Sequence, residues 1–246
     1  MADDAAISDE RVVQVLGAYA WMANLVIGDP ARWLGLDDDP PSSAGFPRKA
    51  LDAARDRVFG EVTPASAQWA QRPLDDRVAW WVRRIGLSAG FAAAVPRVAG
   101  ALADRVPLQA ALGASAAGLA VCATAREHGV TEPARWVPLL AKVLLDRDVA
   151  PRDVPGPEED PEALLADSPP PEEAKGLGPG ARRAAGTLWR LARQIWELQS
   201  VLDERPRGNI LFRTIGKFPV VGLAGGFLDE RGGIRRAAKE TAELLG

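Results

Sequence analysis

An all-α protein, a helical bundle with glycine- and alanine-rich core helices and a long acidic, proline-rich linker, is what the sequence predicts. Apolar residues recur at three- and four-residue spacing in nearly every periodic segment, the signature of amphipathic helices. Good helix formers, Ala, Leu and Arg, are abundant, and the β-branched alternation of strands is missing. The 246 residues divide into an N-terminal helical region over 1–147, the linker over 148–180, and C-terminal helices over 181–246 expected to pack back on the first region.

Taken in order, the first helix has Ser8 as N-cap and runs to about Gly28, with Val12, Val13, Leu16, Tyr19, Met22, Ala23 and Val26 on a wide apolar face. Asp29 and Pro30 break it. Residues 37–47 read as a loop, and a more charged helix is expected over 47–59. From Leu74 a long helix begins with Trp80 and Trp81 and turns small-residue rich at Gly86 and Gly90; Pro96 is expected to kink or break it near residues 92–95. Pro107 opens the next helix, which ends at Gly129, and Thr131 is expected to cap a further one carrying Trp136, Leu139, Leu140, Val143 and Leu144. Between residues 146 and 180 prolines crowd together with acids, a composition that cannot build a packed core. Beyond it, Leu188, Leu191, Ile195, Leu198 and Leu202 form an amphipathic stripe, and a last helix is expected from about Gly233.

The net charge of -3 hides two blocks. Acids dominate from Asp146 to Glu173, then arginines prevail, with Arg182, Arg183, Arg190, Arg193, Arg205, Arg207 and Arg213 before Lys217. Those arginines face an acidic linker able to neutralise them, so nucleic acid is not an expected partner. A single cysteine, Cys122, cannot make an internal disulfide, and the acidic N-terminus lacks the basic region of a secretory signal. A cytoplasmic location, peripheral at the inner face of a membrane, is the expectation.

His128 is the only histidine, so a histidine-rich zinc site is ruled out, and its place at a helix end suits an ordinary structural role. The clusters Asp75-Asp76 and Asp37-Asp38-Asp39 lack the alternating ligands of a calcium loop. No nucleophile–base pair, metal set or cofactor motif is present, so neither enzyme activity nor a cofactor is expected.

Residues 85–103 and 106–125 are nearly uncharged and close to the roughly 20 residues that span a bilayer. Their apolarity comes mostly from Ala and Gly, Arg97 lies in the first, and Asp104-Arg105 would have to turn between them, so buried helices are the better reading. Residues 218–228 form a glycine-punctuated apolar run with a basic entry and an acidic exit. Two readings stay open. The run fills a tight space in the core, or it lies in a membrane interface with Phe218, Val220, Val221, Gly222, Leu223 and Phe227 toward lipid and Arg213 and Lys217 at headgroup level. The alternative to lipid is a protein partner, bound by Leu188, Trp189, Ile195 and Trp196.

Two regions resemble the EcsC family of bacterial proteins. In residues 85–146, Gly86, Gly90, the Ala-Asp-Arg-Val-Pro passage at 103–107 and the Ala-Arg-Glu-His-Gly passage at 125–129 are similar to that family's small-residue helices, Asp-x-Pro turn and glycine-terminated helix. The second region, Lys217-Phe218-Pro219-Val220-Val221-Gly222 with Gly225-Gly226, is similar to its C-terminal Pro-Val-Val-Gly segment. The linker is longer than the family pattern, and Phe227 stands where that pattern has a polar residue. The resemblance implies an α-helical, membrane-associated protein without established catalytic activity, with lipid or an anionic membrane surface as partner and, for some members, an ABC transporter alongside. It carries no catalytic residue across.

Overall fold

The computed structural model describes residues 8–34, 62–98, 106–150, 160, 163, 179–203 and 226–246. Among these the regular structure is helical and no strand occurs, so the protein is all-α.

Helix α1 (Asp9–Gly28) starts where the sequence signals it: Ser8 is extended and its hydroxyl oxygen accepts the Arg11 N–H at 3.3 Å, with Asp9 and Glu10 in the first turn complementing the helix dipole. It stops at Asp29 because a residue before proline is pushed out of the helical region. Asp29 then caps the next element, its Oδ1 accepting the Arg32 N–H at 3.0 Å at the start of α2 (Pro30–Leu34). The last carbonyls of α2 are satisfied from afar, Trp33 by the Thr187 hydroxyl at 2.8 Å and Leu34 by the Arg84 guanidinium.

A short 3-10 turn at Trp69–Gln71 precedes α3 (Leu74–Val98). Of the kink or break expected near residues 92–95, the break does not occur, and the helix is continuous to Val98. Pro96 sits in the final turn, where the one hydrogen bond it removes is close to the helix end. Helix α4 (Val106–Glu127) closes in a Schellman motif: Gly129 takes φ +86°, its N–H bonds to Arg126 O at 2.9 Å, and Val130 N–H to Ala125 O at 2.9 Å. Helix α5 (Pro133–Leu145) has Glu132, not Thr131, at the N-cap position, and no side chain caps it. Pro133 at the first turn needs no amide partner, which removes one of the groups a cap would serve. Asp146 ends α5 in a left-handed conformation at φ 50°, and Arg147 reaches Asp9 at 2.7 Å, tying this end to the start of α1.

The C-terminal half supplies α6 (Pro179–Asp203) and α7 (Gly226–Leu245). The last helix begins seven residues before the expected Gly233 and runs through Gly232 and Gly233, where the burial of Ile234, Ala237 and Ala238 outweighs the poor propensity of the glycine pair. Around α4 pack α1, α3, α5, α6 and α7, and α1 also packs on α5 and α6. The reason is composition. From Ala111 to Ala125 nearly every described side chain of α4 is buried, and most are Ala, Gly or Ser, so five neighbours can approach one axis closely.

Among the described residues one helix, α1, is long and apolar enough to cross a membrane, and 56% of its apolar window is buried inside the fold. The expected loop at 37–47, the helix at 47–59, most of the acidic linker and residues 213–225 lie outside the described residues.

Candidate functional site

The expected lipid-contact residues Arg213, Lys217, Phe218, Val220, Val221, Gly222 and Leu223 fall outside the described residues, and the backbone of Phe227 belongs to the first turn of α7. Of the expected protein-contact residues, Leu188 and Ile195 are core residues, 0% and 4% exposed, while Trp189 is half-buried and packs against the core. Trp196 lies on the α6 backbone. The α6 stripe is therefore occupied over Leu188, Leu191 and Ile195 by the protein's own helices α1, α3 and α4.

The densest polar cluster forms at the end of α4. Glu127 is the last residue of that helix, and its side chain is 7% exposed. Its Oε1 accepts the indole N–H of Trp69 at 3.1 Å and of Trp81 at 2.9 Å; its Oε2 accepts Arg77 Nη1 at 2.5 Å. The indoles themselves interlock edge to face, Trp69 with Trp80 at 5.3 Å and Trp80 with Trp81 at 4.9 Å between centroids. A carboxylate at a helix C-terminus opposes the dipole, and three converging donors offset that cost. Both carboxylate oxygens are engaged and tryptophan rings fill the space around them, so the arrangement is a fastener rather than a reaction centre. It joins residues 62–73 and α3 to α4. Sequence reading missed it because Trp69 and Trp81 stand 58 and 46 residues from Glu127 and no local spacing links them.

A shallow notch of about 280 Å³ lies between the last turns of α1 and α4 and the short α2, lined by Asn24, Gly28, Asp29, Arg32, Trp33 and Arg126. Arg32 stacks over the Trp33 ring at 4.6 Å. Two helix C-termini, both the negative ends of their dipoles, converge here together with Asp29 and offset part of the Arg32 and Arg126 charge.

Elsewhere the core holds Cys122 and Tyr19, both fully buried, and burial pushes the thiol and the phenol well above their ordinary values. Tyr19 remains a donor, its hydroxyl reaching Ser115 O at 2.5 Å. His128 is half-buried beyond the end of α4, its backbone N–H bonded to Thr124 O at 3.0 Å. Among the described residues no group of three or more His, Cys, Asp or Glu side chains could hold a metal ion.

Comparison of the chain with protein-family models, with curated proteins and with solved structures gives no match.

Proposed function

We propose that this is a non-catalytic helical protein that attaches reversibly to an anionic membrane surface, in the manner the EcsC resemblance implies, through the apolar run at residues 218–228 with Arg213 and Lys217. The observation that carries the reading is a contrast. The run has no charged residue between Lys217 and Asp229, whereas among the residues whose side chains are described Leu244, 47% exposed, is the one large apolar side chain exposed on the surface. Among the side chains described, the large apolar groups are otherwise inside and offer no second patch to lipid. The run passes into α7 at Gly226, and α7 is held on the body by Ile234, Ala237 and Ala238.

Energetically such a contact is modest. A few partly buried apolar side chains contribute a few kcal/mol and each basic residue near an anionic surface about 1 kcal/mol, which gives weak, salt-sensitive binding. Flotation of the purified protein with neutral and with anionic vesicles, at low and at high salt, tests it. Anionic vesicles should carry the protein upward, less so as salt rises, and Val221→Asp should abolish flotation while the helical circular dichroism stays intact. Absence of flotation on either vesicle, or unfolding of Val221→Asp, would place the run in the core and defeat the reading.

A further inference from the structure

We draw no further inference here: the strongest candidate, the shallow notch between the last turns of α1 and α4 and the short α2, carries nothing, because Arg32 is already engaged, stacked over the Trp33 ring, while Asp29 and two helix C-termini offset part of the Arg126 charge, and nothing in the structure shows what ligand would cover it.

Discussion

Gly118 and Gly113 stand five residues apart on α4 and differ in what surrounds them. A Cβ on Gly118 would lie 2.9 Å from the Tyr19 hydroxyl oxygen and 3.0 Å from two ring carbons, whereas one on Gly113 would meet nothing within 4 Å. Tyr19 cannot step aside, since it is fully buried and its hydroxyl is bonded to Ser115 O. Overpacking there costs about 1–3 kcal/mol, more than the roughly 0.5–1 kcal/mol that alanine gains over glycine inside a helix. Gly118→Ala should therefore lower the urea midpoint and Gly113→Ala should raise it slightly. A stable Gly118→Ala would mean that α1 and α4 do not cross at this point.

At the scale of the element, the Glu127 cluster decides whether residues 62–73 stay on the helical body. Glu127→Gln leaves one oxygen to accept and puts an NH2 group against donors it cannot satisfy, which costs about 1–3 kcal/mol for buried groups. The expected result is a lower thermal midpoint, a red shift of tryptophan emission, and faster proteolysis within residues 62–73 under native conditions. Unchanged proteolysis would show that Trp69 is held by packing alone. The helix ends also divide by legibility. Ser8, Pro30 and Gly129 could be read directly because caps, pre-proline restriction and left-handed glycines act over three or four residues. The starts of α5 and α7 could not: Glu132 is no preferred cap, and Gly232 and Gly233 look like a terminus until the buried face of α7 is seen.

For the molecule as a whole, Tyr19 and Cys122 make stability depend on alkaline pH. Both groups have folded-state values raised by burial, so the folded protein holds its protons where the unfolded chain releases them. Their stabilising contribution is complete below the unfolded-state values, about 8.5–9 for the thiol and about 10 for the phenol, and is lost as pH rises through the folded-state values. Unfolding free energy should fall by up to about 1.4 kcal/mol per pH unit for each group once its unfolded form ionises. Urea titrations at about pH 8 and about pH 10 check this, and Cys122→Ala should remove the earlier part of the decline. A slope unchanged in that variant would assign it to other groups.

By itself the sequence determined the helical class, the cores of most helices and several of their ends, because those depend on propensity, period and caps that act within one or two turns. It also isolated the run at residues 218–228 through composition alone. Only the tertiary structure decided that Leu188 and Ile195 face the protein's own core, that α4 is the axis the other helices surround, and that Glu127 gathers Trp69, Trp81 and Arg77. An amphipathic stripe states that a face will be covered but not by what. The partner is chosen by which small residues let two backbones approach and which distant donors reach a buried carboxylate, and both are properties of packing between segments far apart in the chain.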